Sequence, residues 1–157
     1  MKPSHGGATV PDPQAFVGFF RRRPAGAAQG SAIAAVHRTM ELLDPQALRY
    51  VLDRMIGEAR RYGHSFSVVH MLLPEEDVVA GVPRLRRALR DADVLGRWTD
   101  EALVALLPAT DLDGAEYVAQ RLRETVREIP MLSGAAEWSG ETPQELLRRA
   151  AWAAARP

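Results

Sequence analysis

Leu48, Val51, Leu52, Met55, Ile56 and Ala59 recur at i, i+3 and i+4 spacing just after Asp44-Pro45. That period predicts an amphipathic helix to about Tyr62, with Asp44 as N-cap, Pro45 at the first helical position and Gly63 as the stop. Phe66 to Leu73 is a short apolar run rich in Val, which reads as a buried strand. Pro74-Glu75-Glu76-Asp77 reads as a loop, and Pro83 as the opening of a second, short helix to about Arg90. Val94–Trp98 and Ala102–Leu107 are expected to pair as a hairpin around Thr99-Asp100-Glu101. Asp111 or Asp113 caps a third helix whose Ala115, Val118, Ala119, Leu122 and Val126 share one face. Met131 to Trp138 is the last strand, and Thr142-Pro143-Gln144-Glu145 is a capping box that starts a C-terminal helix.

From Phe66 onward the order is β-α-β-β-α-β. This predicts an α/β (α+β) fold with a ferredoxin-like core and a helix added at each end. The order alone names no activity, because many unrelated functions share it. Residues 1–30 are rich in Gly, Pro and Ala and read as a flexible tail; 31–43 read as a lead-in helix, and 44–157 as the domain. Within the tail, Ala15 to Arg23 holds three of the four Phe residues. One reading is a short strand or turn docked on the domain. The other is a linear motif in which Phe16, Phe19, Phe20 and Arg21 contact a protein partner or a second copy.

Composition narrows the classes. The chain has 157 residues, enough for one domain with a real core. Its formal net charge is zero, which argues against a dedicated binder of nucleic acid or anionic membrane. There is no Cys, so disulfides, thiol catalysis and Cys-ligated zinc are excluded. Met1–Val10 has no apolar core of a signal peptide, and no run reaches transmembrane length, so the cytoplasm is the expected compartment. His70 falls on the buried strand and reads as a core residue; His64 lies in a turn, and His5 and His37 lie in or near the tail. No Ser/His/Asp set or metal-spaced His cluster appears.

The segment Arg90-Asp91-Ala92-Asp93, three residues, then Arg97-Trp98-Thr99-Asp100-Glu101-Ala102-Leu103 and an apolar run to Pro108 resembles the signature region of the GGDEF family of bacterial diguanylate cyclases. In that family the run is R-x-x-D, three residues, R-Y-G-G-D/E-E-F, four apolar residues and Pro. Flanking pieces agree in order and spacing. Ala59 to Ser67 is similar to A-x-R-x-G-x-P-L-S, Leu107 to Asp111 to L-P-x-T-D, Ala119 to Arg123 to A-E-R-I-R, Ser133 to Ala136 to S-x-G-x-A, and Glu145 to Ala150 to E-L-L-x-R-A-D.

The resemblance implies a nucleotide cyclase-like fold with its catalytic parts missing. Joining two GTP molecules needs divalent cations held by carboxylates. The family's D-x-D at the end of the first strand corresponds to Leu72 and Pro74. Its guanine- and ribose-binding segments correspond to the shortened stretch between Pro74 and Pro83, and its Gly-Gly turn to Thr99-Asp100. No catalytic residue, metal ligand or cofactor is therefore expected. Asp100-Glu101 with Glu75 or Glu76 is the one conceivable metal set, and a solvated acidic turn is the plainer reading. The family's second nucleotide site, where cyclic di-GMP inhibits, corresponds to Arg90 and Asp93 with a helper Arg121. An Arg fork can donate to O6 and N7 of guanine, and a carboxylate can accept from N1 and N2. A surface ion pair at a helix end fits Arg90 and Asp93 equally well. Arg97 and Asp100 repeat the R-x-x-D pattern outside the family's spacing. The expectation is a non-enzymatic signalling module that binds cyclic di-GMP and acts through an unidentified protein partner. The alternative is a ligand-free scaffold or dimerisation domain. Residual nucleotide processing is a distant third.

Overall fold

The computed structural model describes residues 42–156. The expected flexible tail, most of the lead-in helix and the Phe16, Phe19, Phe20 and Arg21 contact segment lie outside the described residues. Helix α1 is Pro45–Tyr62. It begins where the sequence indicates: Asp44 accepts a hydrogen bond from the Ala47 amide at 2.8 Å, and Gly63 closes it at φ 70°. Strand β1 is Phe66–Leu72, and all seven of its residues are buried because helices cover both faces of the sheet.

Helix α2, Glu75–Ala88, departs from expectation. The Pro74–Asp77 segment is not a loop. Pro74 is the cap, Glu75 opens the helix directly after β1, and Pro83 sits inside it. Pro83 removes the donor for the Val79 carbonyl. The cost is offset by packing, since Val78, Val82 and Leu85 form one buried helical stripe that runs through the proline. The acidic first turn, Glu75, Glu76 and Asp77, also suits the positive end of the helix dipole.

Strands β2, Val94–Thr99, and β3, Ala102–Pro108, form the expected hairpin, with a register shift between Arg97 and Thr99. Helix α3 is Leu112–Thr125, capped by Asp111, which accepts from the Gly114 amide at 2.9 Å. Strand β4 is Leu132–Glu137. Helix α4, Pro143–Ala154, starts at the Thr142–Glu145 capping box.

The four strands form an antiparallel sheet in the order β2-β3-β1-β4, the ferredoxin-like arrangement. Helices α2 and α3 cover one face through Val78, Val82, Leu85, Val118 and Leu122, packed on Val69, Met71, Leu103 and Leu107. Helices α1 and α4 cover the other through Leu48, Leu52, Ile56, Leu146 and Leu147, packed on Val68, Val104 and Leu106. In β4, Gly134 lies directly beneath α4: a Cβ there would overlap the carbonyl oxygen of Ala150 and the amide of Ala154.

Both sheet margins are occupied by the chain itself. At the β2 edge, Leu43 bridges Gly96 in parallel, with hydrogen bonds Leu43 N to Leu95 O (3.0 Å) and Arg97 N to Leu43 O (2.8 Å). Leu43, expected as the last residue of the lead-in helix, is instead a strand-like residue. It is so because the β2 backbone offers it two partners. At the β4 edge, Arg123 donates to the Ser133 carbonyl (3.0 Å) and Arg149 to the Glu137 carbonyl.

Candidate functional site

The turn after α2 brings Arg90 and Asp93 together. The Asp93 carboxylate accepts from the Arg90 backbone amide (2.8 Å), from Nε (3.4 Å) and from Nη2 (3.1 Å). Arg90 Nη2 also donates to Thr110 Oγ1 (2.7 Å) and to the Pro108 carbonyl (3.3 Å). The pair thus staples the turn before β2 to the loop after β3. The Asp93 side chain is completely buried, whereas that of Arg90 is 55% exposed. The two residues are consequently unequal. Asp93 is committed to holding Arg90, and the guanidinium presents its remaining surface to solvent.

Arg121 is placed elsewhere. It lines a shallow groove of about 580 Å³ between α2 and α3 with Arg84, Arg87, Ala88 and Thr125. Its guanidinium carbon lies 5.7 Å from the Tyr117 ring centre. Among the described residues, no hydrogen bond or ion pair joins Arg121 to Arg90 or Asp93. The structure brings together two of the three sequence-selected residues and sets the third in the neighbouring groove, with two arginines that the sequence reading did not select.

The second R-x-x-D pair has a different office. The Arg97 side chain is 7% exposed and folds over the hairpin turn. It donates to the Thr99 carbonyl (3.1 Å) and to the carbonyl (2.9 Å) and carboxylate (3.3 Å) of Asp100, and it lies 3.6 Å from Glu75 Oε1. A fixed guanidinium therefore sits between the acidic hairpin turn and the acidic start of α2. Burial of Arg97 could not be read from spacing, because its Glu75 partner lies 22 positions earlier and reaches it only through the sheet. Among the described residues, no group of three or more His, Asp and Glu side chains is placed to hold a metal ion. No described helix is long and apolar enough to cross a membrane.

His70 lies in the middle of β1, opposite Val104 and Gly134. Burial pushes its pKa down from 6.5 to about 4, and its Nδ1 has no hydrogen-bond partner. The sequence reading of a core histidine agrees with its burial.

Comparison with known proteins identifies the domain. Residues 78–153 match the family described as "Diguanylate cyclase, GGDEF domain". This stretch is a GGDEF domain. The GGDEF match runs from α2 to α4 and includes Arg90, Asp93, Arg97 and Arg121, while β1 lies ahead of it. Over 53 residues, 34% of this chain, the sequence is 40% identical to diguanylate cyclase DgcP of Pseudomonas aeruginosa, and the match spans 8% of that protein. Two solved structures share the fold. Diguanylate cyclase SiaD of Pseudomonas aeruginosa, solved with its activator SiaC, superposes with a TM-score of 0.63 at 20% identity, covering 90% of this chain and 70% of that one. The GGDEF domain of DgcB from Caulobacter crescentus, solved with c-di-GMP, gives 0.59 at 18% identity, covering 73% and 84%.

Proposed function

We propose that this GGDEF domain is a catalytically inactive signalling module that binds cyclic di-GMP through Arg90 and passes its state to a protein partner. The observation that carries the first half is the Arg97 clamp. Diguanylate cyclase chemistry requires divalent cations near the end of the first strand and the hairpin. Here the corresponding strand end is Leu72-Leu73-Pro74, all buried. The cation between Glu75 and Asp100 is the protein's own guanidinium. Helix α2 follows β1 after only Leu73 and Pro74, which leaves no segment to wrap a guanine. Purified protein incubated with GTP and magnesium or manganese is expected to form no cyclic di-GMP. Turnover above a no-protein blank would show the reading of inactivity to be wrong.

The binding half is supported by the Arg90 guanidinium. It is oriented by Asp93 and Thr110, half open to solvent, and able to present a fork to O6 and N7 of guanine. Asp93 acts as a positioning residue, since its carboxylate is buried against Arg90. The protein is expected to bind cyclic di-GMP in a calorimetric titration, and Arg90→Ala should weaken binding by about tenfold or more, that is 1.4 kcal/mol or more. Arg54→Ala serves as the control, because Arg54 is exposed on α1 and, among the described residues, pairs with Glu58. Arg97→Ala cannot serve, since it would release the hairpin turn. Equal loss in the Arg90 and Arg54 variants, or no binding by the wild type, would favour a ligand-free scaffold instead.

A further inference from the structure

Beside β4 the domain carries a cleft of about 810 Å³ between α3 and α4, with Leu132 to Ala135 as its floor. β4 lies at the border of the sheet, and β1 is its one strand neighbour among the described residues. The Ser133 carbonyl, held by Arg123, and the Glu137 carbonyl, held by Arg149, point away from β1. Backbone direction in a strand repeats every two residues, so the amide and carbonyl of Ala135 between them point the same way. Ala135 is buried, and among the described residues neither group meets a hydrogen-bond partner. Buried backbone groups are nearly always paired. The cleft thus offers one donor and one acceptor of main chain to an incoming segment.

The cleft is also polarised along the strand. Asp113 and Glu116 lie toward the end of β4, because the first amide of α3, that of Leu112, donates to Glu137 Oε2 at 3.1 Å. Arg123 lies toward the start, where it donates to the Ser133 hydroxyl at 2.7 Å. Arg149 meets Glu137 and Ala154 lies over Gly134, so Arg156, just past α4, also lies toward the start. Between the charged ends the lining is small: Ala119, Gly134, Ala153 and Ala154 leave room for large side chains. Tyr117 stands exposed at the rim.

The N-terminal segment Phe16-Val17-Gly18-Phe19-Phe20-Arg21-Arg22-Arg23 has its parts in the matching order, a large apolar stretch and then three cations. We propose that this segment docks in the cleft of its own domain, parallel to β4, with Phe19 and Phe20 in the small-lined middle, main chain paired to Ala135, and the arginines against Asp113 and Glu116. The opposite direction would set like charges together at Arg123 and Arg156. The parallel direction also returns the chain to where it is needed. Leu43 runs parallel to β2, which is antiparallel to β4, and the sheet registers carry the row of Gly96 through Val104 and His70 to Gly134. Residues before Leu42 therefore arrive from the side of the sheet on which β4 ends. Three strand spacings, about 14 Å, separate the two borders. Residues 24–41, at about 3.3 Å each when extended, reach several times as far. A whole extra strand would displace Arg123 and Arg149, whereas a short segment centred on Ala135 displaces neither. The cleft shares no lining residue with the Arg90 turn, so it is independent of the nucleotide reading above.

The chain has no Cys, so one introduced thiol carries a nitroxide at a single site. The test uses the 15N-labelled full chain with Ala25→Cys, just past the arginines. The amides of Asp113, Glu116 and Glu137 should lose most of their intensity relative to the reduced label, while that of Asp100, at the far hairpin turn, keeps its own. A label at Gln14→Cys should instead bleach Leu132 and Arg156. Adding Phe19→Ser and Phe20→Ser should restore the bleached signals. Cleft signals that stay intact, bleaching that survives the Phe19→Ser and Phe20→Ser changes, or labels that bleach each other's end of β4 would each overturn the proposal. A mixture of spin-labelled chain without 15N and 15N chain without the label should show no bleaching at the cleft. Bleaching there would mean that a second copy supplies the segment, and docking within one chain would be wrong.

Discussion

Gly134→Ala is expected to lose about 3 kcal/mol or more of the domain's stability, and Gly57→Ala almost none. The contrast follows from what a single methyl group meets. At Gly134 it would enter the backbone of α4, overlapping the Ala150 carbonyl oxygen and the Ala154 amide and reaching within 2.7 Å of the Ala153 carbonyl carbon. Backbone cannot rotate aside as a side chain can, so the helix must lift from the sheet. Lifting it exposes Leu146, Leu147 and Ala150, all buried now. Overpacking a core typically costs about 1–3 kcal/mol, and displacement of a docked helix belongs at or above the upper end of that range. Against a total stability of about 5–15 kcal/mol, such a loss is large. Gly57 lies within α1, and a Cβ there meets nothing within 4 Å. Alanine suits a helix better, so that variant should melt at or slightly above the wild-type temperature. Thermal unfolding of both variants by circular dichroism is the measurement. A Gly134→Ala protein that melts with the wild type would mean that α4 does not press on β4.

The second large effect is on acid stability, and it is assigned to His70. The unfolded chain takes up a proton on this imidazole near pH 6.5, whereas the folded protein resists until about pH 4. Between those values the unfolded state binds more protons, so stability falls as the pH is lowered through the window. Full passage corresponds to about 3 kcal/mol. Chemical denaturation between pH 7 and 4 should show this decline, and His70→Leu should flatten it. Two carboxyls are also held below the usual range, Glu141 against the opposing effect of burial by its own backbone amide and then by Ser139, and Glu145 by the Thr142 amide and hydroxyl; both lose their contribution only below about pH 4.5. Their effect is therefore separable from that of His70. A slope that survives in His70→Leu would move the assignment to another group.

These two residues mark how far the sequence carries. Local chemistry was legible. Asp44, Asp111 and the Thr142–Glu145 box cap their helices as their spacing indicates, and the β-α-β-β-α-β order of elements from Phe66 follows from the sequence pattern. The start of α2 was not legible, because Pro83 is a strong local signal for the first position of a helix. It was overruled by burial of Val78, Val82 and Leu85, which only the sheet beneath them creates. At the candidate site, Arg90 and Asp93 are three positions apart in one turn and their pairing could be read. The burial of Asp93 could not, nor could the direction of Arg121, which depends on where the α3 side chain leans across the groove. Gly134 looked like one letter of a motif. Its demand for contact with α4 appears only when the two backbones are set side by side.

The occupied margins of the sheet bear on the behaviour of the protein in a crowded solution. A bare outer strand invites a neighbour's strand to zip onto it, and repetition of that event yields filaments. Leu43 lies along one border, and the side chains of Arg123 and Arg149 are hooked over carbonyls on the other. A strand arriving at either border would first have to displace these hydrogen bonds, so the obstacle to lateral growth lies in a few contacts at the rim and not in the buried side chains between them.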